Sequence, residues 1–133
     1  MRGTYPVMAM MLLATLAGTR LAAQDAAAAG PTVEAAVGTG VQDRQLQGGA
    51  ESFPASVGKV YCFTKIGKTA PGAEFEHVWY HGTDEVGRVK LTAQASPWRT
   101  YSSKNVPPEA TGDWRVDVVQ DGKVLKSVSF KVQ

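Results

Sequence analysis

Residues 114–132, WRVDVVQDGKVLKSVSFKV, decide the fold. Read two by two, the first arm sends Trp114, Val116 and Val118 to one side and Arg115 and Asp117 to the other. The second arm, Val124 to Val132, buries Val128, Phe130 and Val132 and leaves Ser127, Ser129 and Lys131 to water. A period of two is the signature of a half-buried strand. Between the arms stands Asp121-Gly122, a pair that accepts the positive φ angles a tight primed turn requires. The stretch predicts an antiparallel hairpin.

The same texture extends upstream to Val57. Val57–Ile66 predicts a strand with Val60, Cys62, Thr64 and Ile66 on one side and Tyr61 and Phe63 on the other, two partly apolar faces that suit a central position. After a turn at Gly67–Gly72, Phe75–His81 puts Phe75, His77, Trp79 and His81 on one face. Gly82-Thr83-Asp84 turns the chain again, and Val86–Ala93 alternates Val89, Leu91 and Ala93 inward with Arg88, Lys90 and Thr92 outward. Trp98–Ser103 is a further strand, and Asn105–Asp113, carrying Pro107, Pro108 and Gly112, crosses to another sheet. Nearer the start, Val33–Val41 reads as a weak edge strand and Arg44–Pro54 as a polar loop. The sum is an all-β chain of about seven short strands, an antiparallel β-sandwich of the immunoglobulin-like class. Immunoglobulin domains carry a cysteine pair between their sheets. Cys62 is the single cysteine here, so the sandwich must be held by packing.

The first residues read differently. Arg2 precedes an apolar run from Val7 to Ala17, and small residues at Ala22 and Ala23 offer a cleavage site before Gln24. That is the three-part pattern of a secretory signal peptide. The run is too short for a membrane span, which needs about 20 apolar residues. The organisation expected is a signal peptide over 1–23, a flexible Ala-rich tether over 24–31 and a β-sandwich domain over 32–133, with no transmembrane segment in the mature chain and export to the periplasm or beyond. The whole chain has 14 Lys and Arg against 12 Asp and Glu. Removing 1–23 takes Arg2 and Arg20 with it and leaves the two signs equal. A formally neutral domain lacks the basic surface that nucleic-acid binding needs.

Four ordered motifs carry a resemblance: His77-Val-Trp79-Tyr80, Trp98-Arg99-Thr-Tyr101-Ser-Ser-Lys104, Gly112-Asp-Trp114-Arg115-Val-Asp-Val, and Asp121-Gly122-Lys-Val-Leu125 followed by Phe130. With them the stretch Val57–Val132 resembles the bacterial domain of unknown function 2914 family, and Val33–Phe53 resembles it more faintly. The resemblance implies a small β-rich domain, often carried by exported or membrane-tethered proteins, and no established activity. Cys62 stands where that pattern would carry an aromatic residue.

Candidate chemistry is sparse. His77 and His81 on a strand are separated by roughly 13 Å, too far for one ion, and no Cys or carboxylate cluster completes a coordination sphere, so neither metal nor cofactor is expected. Ser102 or Ser103 with a histidine and Asp84 supplies the residue types of a hydrolase without the strained turn that exposes a nucleophile, so no catalytic residue is assigned. Cys62, between Tyr61 and Phe63, reads as a small buried apolar group. Trp79 and Trp114 read as core. What remains is Arg99, Tyr101 and Lys104, joined by Tyr80 and His77, as a ligand-binding set in which rings stack on a ligand and cations pair with its polar groups. The expectation is an exported, non-enzymatic module binding a glycan, peptide or protein at the cell envelope. The alternatives are a purely structural module without ligand and a small hydrolase.

Overall fold

The computed structural model describes residues 30–133. The leader and nearly all of the tether lie outside the described residues. Within them the chain runs through β1 (Thr32–Gly38), β2 (Gly40–Gln42), β3 (Gln45–Gln47), β4 (Ser52–Phe53), β5 (Gly58–Gly67), β6 (Ala73–His81), β7 (Asp84–Ala93), β8 (Trp98–Val106), β9 (Gly112–Gln120) and β10 (Lys123–Val132), with no helix among the described residues. One sheet has the order β1–β5–β8, the facing sheet β4–β10–β9–β6–β7, and β2–β3 is a separate two-stranded hairpin. Every pairing is antiparallel except β4 with β10. The seven long strands are those the alternation marks out, and the connections after β5, β7 and β8 each cross from one sheet to the other.

The hairpin of the opening stretch forms as its sequence requires. Gln120 faces Lys123, and Asp121 and Gly122 take φ of 50° and 76°. β5 lies between β1 and β8, which explains its two partly apolar faces. Its register sets Ile66 beside Trp98, Thr64 beside Thr100 and Cys62 beside Ser102 on the inner face. The outer face carries Phe63 beside Tyr101 and Lys65 beside Arg99.

Between the sheets, Phe130 gathers the aromatic residues. Phe53 meets it edge-on at 5.7 Å, Trp79 edge-on at 6.4 Å, and Trp114 stacks on it at 5.9 Å. Each such pair adds about 0.5–1.5 kcal/mol beyond the area it buries. With Val37, Val60, Cys62, Val106, Val116 and Val132 they form the larger apolar cluster. A smaller one, Ile66, Phe75 and Ala93, fills the other end, with Trp98 and Leu125 packed against it.

Two features depart from the sequence expectation. The edge strand stops at Gly38, and the chain turns there into the β2–β3 hairpin. A Cβ at Gly38 would collide with the carbonyl oxygen of Gln47, so only glycine lets the hairpin fold back this closely. The stretch Arg44–Pro54, read as a loop, contains β3 and β4. β4 is fixed by Lys131 N–H donating to Glu51 O at 2.9 Å and Gln133 N–H to Phe53 O at 2.9 Å. Strands of two or three residues offer too few positions for a period of two to show, and their pairing is decided by distant partners.

Candidate functional site

The outer face of the three-stranded sheet is ordered in rows by its register. Ala36, Phe63 and Tyr101 lie side by side, as do Glu34, Lys65 and Arg99. The next row holds Gly38, Tyr61 and Ser103. The small residues on β1 leave the rings of β5 and β8 uncovered from that side. Tyr101 is 51% exposed, and its ring lies 6.0 Å from that of Tyr61. A Tyr usually has its ring packed and only its hydroxyl wet, so half-exposure of Tyr101 on a face shared with Phe63 is the conspicuous feature of this surface.

The β2–β3 hairpin lies over this face and gives it relief. Val41, Asp43 and Arg44 from the hairpin, with Phe63, Arg99 and Tyr101 from the sheet, enclose a cleft of about 220 Å³. A second cleft of about 460 Å³ lies against Arg44, Arg99, Trp98, Pro97 and Ala95. Among the described residues neither Arg44 nor Arg99 forms an ion pair, whereas Arg88 binds Glu76 and Glu85 at 3.1 and 2.8 Å, and Arg115 lies 3.0 Å from Asp117.

The five residues singled out by sequence do not form one site. Arg99 and Tyr101 share the face just described. Lys104 points the other way: it faces Val60 across the pair of strands, on the inner phase of β8, and its stem runs along Gly87 at the open edge of the sandwich. Tyr80 stands on the outer face of the opposite sheet, where the Arg115 guanidinium lies 4.2 Å above its ring. Arg115 is held in turn by Asp117, which is buried and accepts a 2.7 Å hydrogen bond from Ser127 Oγ. The Arg115 Nε–H is not aimed at the carboxylate, so this contact is an ion pair without an aligned hydrogen bond.

His77 is completely buried between the sheets. Its Nδ1 is 2.6 Å from Ser102 Oγ and its Nε2 is 2.7 Å from Thr64 Oγ1. Trp79 Nε1–H donates to the same Ser102 oxygen at 3.1 Å, and Thr64 Oγ1 lies 4.0 Å from Cys62 Sγ. The proton count selects one arrangement. Indole N–H only donates, so Ser102 accepts from Trp79 and has its own hydrogen for His77 Nδ1. His77 Nε2–H then donates to Thr64, whose hydrogen is directed at Cys62. The opposite tautomer leaves the Ser102 hydrogen without an acceptor. This polar layer joins the two sheets and separates the two apolar clusters.

Burial holds His77 neutral, lowering its pKa from 6.5 to about 4, and pushes the Cys62 thiol up to about 12. Cys62 is thus the buried apolar group its flanks suggest. His81 is elsewhere, stacked on Trp114 at 4.7 Å with Nε2–H donating to Thr111 O at 2.8 Å. Among the described residues no group of three His, Cys, Asp or Glu side chains is placed to hold a metal ion, and no helix is long and apolar enough to cross a membrane.

Sequence reasoning missed three contributors to the exposed face. The alternation sets Phe63 and Tyr61 together on one of two partly apolar faces of their strand, but that this face is the outer one, and their partnership with Tyr101, follow from strand pairing. Arg44 fell in a stretch read as loop. One signal was present: Gln42-Asp43-Arg44-Gln45 makes a two-residue hairpin turn without glycine, holding Asp43 and Arg44 at φ of 52° and 59°.

Residues 73–132 match the family described as "Protein of unknown function (DUF2914)". This stretch, less than half of the chain, is similar to that family. That segment runs from β6 to β10 and includes Arg99 and Tyr101, whereas Arg44, Tyr61 and Phe63 precede it. In overall shape the chain is similar to an immunoglobulin-like protein from Pseudomonas aeruginosa, with a TM-score of 0.51 at 15% identity, covering 77% of this chain and 92% of that one. Identity this low shows the fold alone: an immunoglobulin-like β-sandwich. No curated protein matches the chain.

Proposed function

We propose that this chain is an exported, non-enzymatic module that binds a glycan at the bacterial cell envelope through the outer face of its three-stranded sheet. The observation that carries the reading is Tyr101, 51% exposed beside Phe63 and Tyr61, with Arg99, which forms no ion pair among the described residues, next to it. Aromatic faces bury the apolar faces of sugar rings while guanidinium groups bond hydroxyls and carboxylates. The leader pattern of Arg2 and Val7–Ala17 supports export. Against a hydrolase stands the placement of Ser102 and His77. They have nucleophile-and-base spacing at 2.6 Å, yet both are buried and the Ser102 oxygen already accepts from Trp79.

The test is a binding titration of the purified chain against neutral and acidic oligosaccharides, with Tyr101→Ala and Arg99→Ala beside the unaltered protein. Binding lost in both variants at unchanged melting temperature supports the reading. Indistinguishable binding by all three, or none to any glycan, refutes it and leaves the second reading, a structural module whose Trp and Arg motifs serve the fold.

A further inference from the structure

Four arginines lie in the described residues, and their fates divide cleanly. Arg88 and Arg115 are engaged with carboxylates. Arg44 and Arg99 have no carboxylate within ion-pair distance among the described residues, and these two stand in the walls of the same two clefts. They arrive there from parts of the chain 55 positions apart, one from the hairpin turn and one from β8. Two guanidinium groups beside one cleft repel each other, and the carboxylate in its wall, Asp43, forms an ion pair with neither among the described residues. The hairpin also holds Arg44 at φ 59°, a left-handed conformation that costs any residue with a Cβ and that Gly would adopt freely. A turn selected only for closure would carry Asn-Gly or Asp-Gly, as the β9–β10 turn does with Asp121-Gly122.

We infer that Arg44 and Arg99 form a clamp for the carboxylate of an acidic sugar, with the ring of that sugar lying against Tyr101 and Phe63. The inference rests on the glycan reading above and names the ligand class. Guanidinium groups meet carboxylates in bidentate fashion, which fixes orientation as well as adding energy. Asp43, in the wall of the smaller cleft, and Glu34, beyond Lys65 in the Arg99 row, are the carboxylates near the site, and Asp43 is an acceptor for sugar hydroxyls. Tyr101 and Phe63 line the cleft of about 220 Å³, and the cleft of about 460 Å³ that Arg44 and Arg99 also line, within the roughly 300–1,000 Å³ common for small-ligand sites, gives room for neighbouring sugars. Lys65, next to Arg99 in the register, adds positive potential along the same row.

The experiment compares the full purified chain against an oligogalacturonate and its methyl-esterified form, two ligands alike in rings and different in charge. The unesterified oligomer is expected to bind roughly ten- to hundred-fold more tightly, the value of one charged hydrogen-bonded pair. Arg44→Gln is expected to remove that preference and leave binding of the ester unchanged, whereas Arg99→Gln removes the preference and also weakens binding of the ester, because Arg99 belongs to the glycan face itself. Arg44→Gly removes the same preference while relaxing the turn, so its melting temperature is not lowered, which separates loss of the clamp from loss of the fold. Equal binding of both ligands by the unaltered chain, or a preference that survives Arg44→Gln, overturns the clamp. If Tyr101→Ala still abolishes binding in that case, the glycan face stands and the clamp alone has failed. Inorganic phosphate that competes as well as monomeric galacturonate overturns the sugar assignment, because phosphate cannot use the rings. No binding of either oligomer overturns the inference outright.

Discussion

Lowering the pH from 8 to 5 should destabilise this domain by about 2 kcal/mol through His77 alone. In the folded chain the ring is enclosed by the hydroxyls of Thr64 and Ser102, with Val89 and Val118 beside it on the neighbouring strands, and burial lowers its pKa from 6.5 to about 4. In the unfolded chain the ring titrates near 6.5. Between those two values the unfolded state holds a proton that the folded state refuses, so stability is fully present above 6.5 and drains as the pH falls. By pH 5 the unfolded ring is almost wholly charged and the folded ring almost wholly neutral, giving about 2 kcal/mol. The loss approaches about 3 kcal/mol near pH 4 and then levels off, because both states are protonated. Urea unfolding followed by tryptophan fluorescence from pH 8 to 5 reads this directly, since Trp79 and Trp114 are both buried. His77→Gln is the comparison: its amide can donate to Thr64 and accept from Ser102 but carries no titrating group. The variant should begin less stable at pH 8 and lack this part of the slope. A free energy within about 0.5 kcal/mol between pH 8 and 5 in the unaltered chain, or the same slope in His77→Gln, would refute the reasoning.

Three further outcomes follow from the same geometry. Ser102→Ala strands both the Trp79 N–H and His77 Nδ1 in a dry interior, so it should cost about 2–4 kcal/mol and lower the melting temperature by roughly ten degrees or more, read by calorimetry. The Cys62 thiol, pushed up to about 12 and fully buried, should resist a disulfide reagent at pH 8 in native protein and react at once in denaturant; rapid native reaction would contradict its burial. Gly122→Ala forces a Cβ onto a residue at φ 76° and should cost roughly 1 kcal/mol by urea midpoint, whereas no loss would mean the β9–β10 turn is not of the primed type.

Alternation along each strand made the long elements legible, because a residue's face depends only on its neighbours in sequence. It put Thr64 on one side with Val60 and Ile66, and His77 on one face with Phe75 and Trp79, sides that the structure turns inward. It did not show that these two meet each other, or that Ser102 completes the layer, because contact across the sandwich depends on how one sheet is laid on the other. His77 therefore read as a ligand contact when its two nitrogens are already engaged inside. Lys104 and Tyr80 illustrate the same gap: both are on the strands expected, and their separation from Arg99 is set by phase and sheet, not by sequence distance. The hairpin at 40–47 was illegible for another reason. Its placement over Phe63 depends on the close approach of Gln47 to Gly38, a long-range contact that a glycine permits but does not announce.

The glycan face is tested most directly by titrating the isotopically labelled chain with oligogalacturonate and following every backbone amide by NMR. The shifts should gather on residues 41–45, on Phe63 and Lys65, and on Arg99 to Tyr101, all around the hairpin and the outer face beneath it. An unchanged spectrum at saturating ligand, or shifts gathered around Tyr80 and Arg115 on the opposite sheet, would contradict the account.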